Sequence, residues 1–474
     1  SGRIEEITAQ ADPLSPVETI VEEVAYLPFS PSTIFGAADI QTSLASPHLD
    51  GLAHAEFGNG LALDVTYDAD GQITDIATGG LSTDVQDLTY GYDDAGNITS
   101  ITDTLDGSRT QVFTYDDIGR LSGAAGAYGD ITYDYDLVGN RTQRVIDTGT
   151  VMTETYTYGS TSHRLSSVTV GSAIRDFTYT AAGSVSADDR FSTGFTFAYN
   201  HNGRMASVSD VGGTVATYLY NAREHRVAKT VGSMTTHFVY DAAGHLIAES
   251  DGATGDVLKE YIWLGDTPVA LIDHTGSARE TYFIHADHLG RPQKITDDSQ
   301  IVVWAGQFEP FGQEHSIAGS ITAQLMFPGQ YYDPETRLSQ NWHREYDATL
   351  GRYVQGDPIG VRGLVEDATF NTRSDDQVFQ GWLYAYANAT PQRLIDPSGL
   401  RTSSRRSRAD LTQHCGAPPD LNRCLASCAV GGRAWENFCR TVLEPRVRAG
   451  CWAVRYSSEA ACRGWCFWNF TEKG

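Results

Sequence analysis

The sequence predicts an all-β protein built as one array of β-hairpins, and three observations lead there. Ten tyrosines, Tyr67, Tyr92, Tyr115, Tyr135, Tyr158, Tyr179, Tyr199, Tyr220, Tyr240 and Tyr261, recur at intervals of 20 to 25 residues. Around most of them stands one unit, clearest as Tyr115-Asp116-Asp117-Ile118-Gly119-Arg120-Leu121 and as Tyr240-Asp241-Ala242-Ala243-Gly244-His245-Leu246. The residues flanking each unit alternate in polarity with period two, as in Phe113-Thr114-Tyr115 and in Leu165-Ser166-Ser167-Val168-Thr169-Val170. A fixed period of this length marks stacked supersecondary units, and period-two alternation makes each unit a strand, a turn and a strand.

Within a unit each position has a physical reason. Asp or Asn directly after the Tyr, with Gly three positions later, suits a type I turn followed by a left-handed Gly, the hairpin that carries a bulge. The Tyr is an aromatic at a fixed strand position, which fits a pleated, half-buried surface; it reads as a packing group, not as part of a ligand-stacking array. A repeat array of this kind also escapes the usual size limit of a single domain, because each unit contacts chiefly its neighbours.

The units resemble the YD repeats of the Rhs (rearrangement hot spot) proteins, of the C components of Tc toxins and of teneurins. The resemblance runs from about Tyr26 to Leu400. Tyr26-Leu27-Pro28-Phe29 and Phe57-Gly58-Asn59-Gly60-Leu61 resemble the two segments that introduce the repeats, spread apart by an insertion. Thr281-Tyr282-Phe283-Ile284-His285-Ala286-Asp287-His288-Leu289-Gly290-Arg291-Pro292, then Trp304 and Phe308-Glu309-Pro310-Phe311-Gly312, resemble the stretch that leads into the Rhs-associated core. The resemblance implies hairpins spiralling into a hollow shell around a C-terminal polypeptide. It divides the chain into an introductory segment (1–60), a YD-repeat shell (61–313), an Rhs-associated core (314–400) and a variable tail (401–474).

Charge and cysteine divide the chain at the same place. Residues 401–474 hold 12 Arg and Lys against 6 Asp and Glu, a net of +6; the whole chain carries −26, so residues 1–400 carry −32. Most of the acidic side chains are expected in Asp-rich turns and on the solvated face, with attraction of a cationic cargo into an acidic shell as the alternative. All seven Cys follow residue 414. Cys424, Cys428, Cys439, Cys451, Cys462 and Cys466 are spaced almost symmetrically, and their x3 gaps place thiols on one helical face, so the tail reads as a small helical domain stapled by disulfides of open pairing. Buried unpaired thiols are one alternative. Zinc is the other, disfavoured by a single His in the tail, His414, and by the absence of C-x2-C, so neither metal nor cofactor is expected. The leader Arg401-Thr402-Ser403-Ser404-Arg405-Arg406-Ser407-Arg408 reads as a flexible segment. No run of about 18 apolar residues spans a membrane, no signal peptide is visible, and a start at Ser1 without Met reads as a fragment of a longer protein.

Chemistry concentrates between Asn341 and Leu400. Glu345-Tyr346-Asp347-Ala348-Thr349-Leu350-Gly351-Arg352-Tyr353-Val354-Gln355-Gly356-Asp357-Pro358-Ile359-Gly360 and Leu383-Tyr384-Ala385-Tyr386-Ala387-Asn388-Ala389-Thr390-Pro391 match the Rhs core signature, which ends in Asp396-Pro397-Ser398-Gly399-Leu400. The resemblance implies self-cleavage between Leu400 and Arg401. Peptide hydrolysis by an aspartic pair needs two close carboxyls, one ionised and one protonated. Asp357 and Asp396 are the expected pair, with Arg352 as a nearby cation that orients a carboxylate; Asp396 as a mere positioning group, and two rigid Asp-Pro turns without chemistry, are the alternatives. The insertion Leu364-Val365-Glu366-Asp367-Ala368-Thr369-Phe370-Asn371-Thr372-Arg373-Ser374-Asp375-Asp376 departs from the family pattern and offers Asp375 or Asp376 as another second carboxyl.

The reading is therefore the encapsulating shell of an Rhs-type toxin that cuts only its own chain. Its partners are its own tail, a secretion or delivery apparatus and a cognate immunity protein; nucleic acid is not a partner of the shell, and the protein is exported or cell-surface. The alternative is a structural or adhesive YD-repeat protein without cleavage. The tail's own activity and target are not legible: its acidic groups are too sparse to form a motif.

Overall fold

The computed structural model describes the strands Ile7–Ala9, Glu18–Tyr26, Pro31–Gly36 and Ile40–Leu44, residues 52–359 apart from 82, 161 and 193, residues 383–400 and residues 402–404. The Cys series and the acidic insertion, including Asp375 and Asp376, lie outside the described residues.

In most units the turn is built by the residue that follows the aromatic. Asp116 Oδ1 accepts from the N–H groups of Ile118 at 3.1 Å and Arg120 at 2.8 Å, while the Asp116 carbonyl accepts from Gly119 N at 2.9 Å. Gly119 lies at φ +81°, where a Cβ would be strained. The register then slips by one residue as Tyr115 pairs with Leu121, which is the bulge that the Asp/Gly spacing predicts. The same side-chain acceptor pattern recurs at Asp68, Asp93, Asp136, Asn200, Asn221, Asp287 and Asp297.

The aromatic links each unit to the one before it. Tyr115 Oη donates to the Ile98 carbonyl at 2.8 Å, Tyr135 to Leu121 at 2.9 Å, Tyr158 to Arg141 at 2.9 Å, Tyr179 to Leu165 at 3.0 Å and Tyr199 to Val185 at 2.7 Å. The phenol therefore satisfies a carbonyl at the strand start of the preceding hairpin while its ring covers the core. In the tenth unit the expectation is corrected: Trp263, not Tyr261, holds this place, its Nε1 donating to the Leu246 carbonyl at 2.8 Å. Tyr261 is the inner aromatic two residues earlier, and its hydroxyl donates to Glu249 at 2.6 Å.

Consecutive strands pair antiparallel without a break from Ile7–Ala9 to Glu314–Gly319, giving one 29-stranded meander. The hairpin array ends there. Helix among the described residues is limited to three single 3₁₀ turns, Gly107–Arg109, Arg190–Ser192 and Ala387–Ala389. The meander curls until late strands meet early ones, and that seam is made by side chains reaching main chain. Gln86 Nε2 donates to the Ala286 carbonyl at 3.0 Å, Lys294 Nζ to Val85 at 2.6 Å and Arg109 Nη2 to Gly306 at 2.6 Å.

The concave face of the sheet is filled by the residues that follow it. Gln330–Asp333, Leu338–Asn341, Arg344–Asp347 and Arg352–Tyr353 form a separate four-stranded antiparallel sheet, almost wholly buried. Leu338, Leu350 and Val354 pack among Tyr156, Val168, Phe197 and Tyr218 of the meander. Buried cations fix the two layers together. Arg226 grips both carboxylate oxygens of Asp333, joined by Lys229 at 2.9 Å; Arg175 Nη2 lies 2.6 Å from Asp188 and 2.6 Å from Asp347. Arg141 donates to the Leu350 carbonyl at 3.1 Å, with its guanidinium 4.2 Å from the Phe311 ring and 4.7 Å from that of Tyr133.

One further strand corrects the reading of the leader as flexible at Ser403 and Ser404; Arg401 and residues 405–408 lie outside the described residues. Ser403 and Ser404 pair antiparallel with Ile395 and Leu394.

A titratable contact gives a test of the turn chemistry. His245 places Nδ1 3.0 Å from Asp241 and Nε2 3.0 Å from Asp266, and its ring stacks on Trp263 at 4.7 Å. Burial alone would lower its pKa, but the two carboxylates outweigh burial and raise it to about 9 from an ordinary 6.5. The folded-state value is raised, so the stabilisation is complete below about pH 6.5 and is lost as pH rises through about 9. Denaturant unfolding of wild type and His245→Gln between pH 6 and 10 is expected to give a stability difference that shrinks across this window. A difference independent of pH would contradict the assignment.

Candidate active site at the Asp-Pro hairpin

The segment Leu394–Ser404 is a hairpin whose loop holds Asp396-Pro397-Ser398-Gly399-Leu400, and the hairpin rests on the turn between Leu338–Asn341 and Arg344–Asp347. That turn grips the loop by its carbonyls. Asn341 Nδ2 donates to the Asp396 carbonyl at 2.8 Å, and Arg344 Nε donates to the Gly399 carbonyl. His343 offers its backbone N–H at 3.2 Å and Nδ1 at 3.0 Å to the Ser398 carbonyl. A carbonyl only accepts, so His343 carries a proton on Nδ1. Burial, then Arg204, lowers its pKa and favours the neutral ring.

Glycine permits the close approach. A Cβ on Gly329 (φ +81°) would lie 1.9 Å from the Pro397 carbonyl oxygen, and one on Gly399 (φ +66°) would lie 2.4 Å from that of Asn341. Both contacts are with backbone, so neither clash can be relieved by a side-chain rotation.

Asp396 is buried inside this frame. Its Oδ1 accepts from the Leu400 N–H at 2.9 Å, and its Oδ2 accepts from Tyr353 Oη and from Arg344 Nη2, each at 2.9 Å. Burial, with Asp396 beside it, pushes the Tyr353 phenol well above its ordinary pKa, which keeps it a neutral donor. Asp357 approaches the same nitrogen, its Oδ2 3.4 Å from Arg344 Nη2. Its backbone N–H donates to the Leu383 carbonyl at 2.9 Å, and its Oδ1 accepts from Ile359 N at 2.9 Å. The Asp357 side chain is 11% exposed against 2% for Asp396, so Asp357 is the more open of the two.

The structure thus brings Asp357, Asp396 and Leu400 together. Arg352 points elsewhere: it donates to Tyr158 Oη at 3.1 Å and to the His163 carbonyl at 2.7 Å, and lies over the Tyr384 ring at 4.8 Å. The guanidinium shared by the two carboxylates is that of Arg344, which also lies 3.6 Å from the Tyr353 ring centre. Sequence reasoning missed it because Arg352 stands nearer to Asp357 along the chain. In a strand flanked by Asn341 and Tyr353, which fix the Asp396 side, Arg344 is the residue whose face turns toward the loop. Arg401 lies outside the described residues.

A sheet of bulged hairpins closed around a buried core is the architecture of YD shells, and comparison with known proteins agrees. The Teneurin YD-shell family model matches residues 58–250 and the RHS protein model matches residues 281–314. Over these residues the chain is an Rhs/YD-repeat protein. Double-stranded DNA deaminase toxin A of Burkholderia cenocepacia (strain H111) is 28% identical over 349 residues, which is 66% of this chain and 22% of that protein. The probable deoxyribonuclease RhsA of Dickeya dadantii (strain 3937) is 26% identical over 371 residues, 73% of this chain and 23% of the relative. The chain therefore spans less than a quarter of the length of either. Among solved structures, the Photorhabdus luminescens Tc holotoxin pore superposes with a TM-score of 0.58 at 16% identity, over 82% of this chain and 19% of that one. At that identity the likeness establishes the fold.

The two glycine contacts predict how sensitive the hairpin is. Gly329→Ala and Gly399→Ala are each expected to destabilise the protein by about 2–4 kcal/mol, the left-handed cost plus overpacking. Gly119→Ala, whose Cβ would meet nothing within 4 Å, is expected to lose only about 1–2 kcal/mol. Denaturant midpoints of the three variants check this; equal losses would mean that the loop is not seated as described.

Proposed function

We propose that this chain holds its C-terminal tail, residues 401–474, as cargo and releases it by self-cleavage between Leu400 and Arg401. The observation that carries this reading is the meeting of Asp357 and Asp396 on Arg344 beside the Leu400 backbone, in a loop whose three preceding carbonyls are already gripped. Holding the reacting bond in one geometry is what turns a slow peptide hydrolysis into a feasible one.

The two carboxyls have different work. Asp396, with Oδ1 on the Leu400 N–H and Oδ2 on Tyr353 and Arg344, positions the bond. Asp357, the more open carboxyl, accepts a proton from the attacking water. Water oxygen adds to the Leu400 carbonyl carbon, the bond to the Arg401 nitrogen breaks, and that nitrogen leaves with the proton as an amine. In an ordinary aspartic pair the two carboxyls share a proton; here the Arg344 guanidinium takes that place and supplies positive charge near the carbonyl that becomes an oxyanion. In this reading the tail is the toxin-type cargo, its delivery apparatus and immunity protein are the outside partners, and the protein works after export.

Intact-mass measurement of purified protein tests the proposal. Wild type is expected to yield a fragment beginning at Arg401. Asp357→Asn is expected to remain full length, with cutting slowed at least about 100-fold for loss of the base. Equal fragmentation of both would refute the assignment of Asp357. A wild-type chain that stays whole would refute self-cleavage and favour the adhesive reading.

A further inference from the structure

We infer that Thr402, Ser403 and Ser404 form a docking strand that holds the tail side of the Leu400–Arg401 bond against the core, so that these three are positioning residues for the cut. The inference rests on the self-cleavage reading and adds the half of the substrate that the Asp-Pro motif does not contain.

On the upstream side the loop is held by Asn341, His343 and Arg344 through the carbonyls of Asp396, Ser398 and Gly399, and Asp396 holds the Leu400 N–H. A bond held on one side alone still swings about the last fixed residue, and misplacement of a reacting carbonyl by about 1 Å can cost on the order of 100-fold in rate. On the downstream side the chain turns back. Ser403 pairs with Ile395 and Ser404 with Leu394, antiparallel, and Asn388 Nδ2 reaches Thr402 Oγ1 at 3.3 Å. Leu394 and Ile395 immediately precede Asp396, so one short strand carries the positioning carboxylate and also receives the tail side of the substrate. The bond is thereby fixed from both ends.

This strand has a feature that suits a leader. Among the described residues its contacts include main-chain pairing and one hydroxyl, and Ser403 itself is exposed. Recognition by backbone pairing asks only that the segment be extended and small, which is the mode by which a sheet edge accepts an added strand. Arg401-Thr402-Ser403-Ser404 has the small polar residues for it. Because the pairing lies downstream of the bond, it outlasts the cut, and the new end of the tail stays docked on Leu394–Ile395 after hydrolysis. Cutting and departure are then separate steps.

The test compares full-length chains by time course on a denaturing gel. Ser403→Pro/Ser404→Pro removes the amide N–H groups of the two paired residues and is expected to be cut at least about tenfold more slowly than Ser403→Ala/Ser404→Ala, which keeps them. The thermal midpoint of the shell is expected to be the same in both, since the strand lies at the end of the described core. Cutting of the Pro pair at the rate of the Ala pair would overturn the inference while leaving self-cleavage intact. If wild type is not cut, the self-cleavage reading fails, and hydrogen exchange in the Asp357→Asn chain still decides the docking. Amides of residues 394–404 are expected to be protected there and to lose protection when the Pro pair is added. Exchange at the unfolded rate in the Asp357→Asn chain would overturn the docking strand as well.

Discussion

The structure depends on buried guanidinium–carboxylate contacts between the concave face of the hairpin sheet and the small sheet it encloses. Arg226 and Lys229 meet Asp333; Arg175 meets Asp347, with Arg190 3.6 Å away. Burial would raise the Asp347 pKa, but Arg175 and Arg190 hold it below its ordinary value, so the carboxylate is charged wherever the protein is folded near neutrality. Such contacts give little net stability over an apolar core, because two ions must be desolvated to make them. Breaking one partner is a different matter, since the other is left buried and unpaired. The contacts therefore act as register marks: only one placement of residues 330–353 on the sheet pairs all of these charges.

That placement sets the site. The strand Arg344–Asp347 is buried along its whole length. Asp347 reaches the sheet through Arg175, Tyr346 donates to the Phe311 carbonyl at 2.6 Å, and Arg344 turns to Asp357 and Asp396. Burial raises the pKa of Glu345, between them, and its carboxylate accepts from Gln355 and lies 3.4 Å from Tyr220 Oη. A displacement of the strand would carry Arg344 away from the loop and from the Gly399 carbonyl that it holds. The hairpin sheet thus bears on the Asp-Pro loop through the strand Arg344–Asp347.

Much of the fold was legible because local chemistry and global architecture agree. The Asp after each aromatic and the Gly three positions on define the bulged turn by themselves, and Gly119 and Asp116 behave as that spacing requires. The error at Tyr261 has an identifiable cause. Several strands carry Tyr at both i and i+2, as in Tyr133 and Tyr135 or Tyr156 and Tyr158, and in the tenth unit the second member is Trp263. Counting tyrosines selected the inner residue of the pair, and Gly265, four positions after Tyr261 as Gly119 is after Tyr115, pointed the same way; this unit closes instead by a tighter turn in which Leu264 pairs with Thr267. At the site, the motifs pointed to Asp357, Asp396 and Leu400, which the fold does bring together. The choice of Arg352 over Arg344 followed closeness along the chain, and the pairing that brings Arg344 to residues 396–399 spans more than fifty residues. The docking of Ser403 and Ser404 carried no signal, since pairing through main chain leaves no alternation in so short a segment.

The inner cations of the sheet fix the enclosed strands, and a double-mutant cycle on Arg226 and Asp333 measures that coupling. Stability of wild type, Arg226→Met, Asp333→Leu and the double variant would be measured by denaturant unfolding. The account predicts that each single change costs about 3–5 kcal/mol, for the charge left unpaired, and that the double variant is more stable than the sum of the two by at least about 2 kcal/mol. Single losses below about 1 kcal/mol, or additivity within about 0.5 kcal/mol, would contradict it.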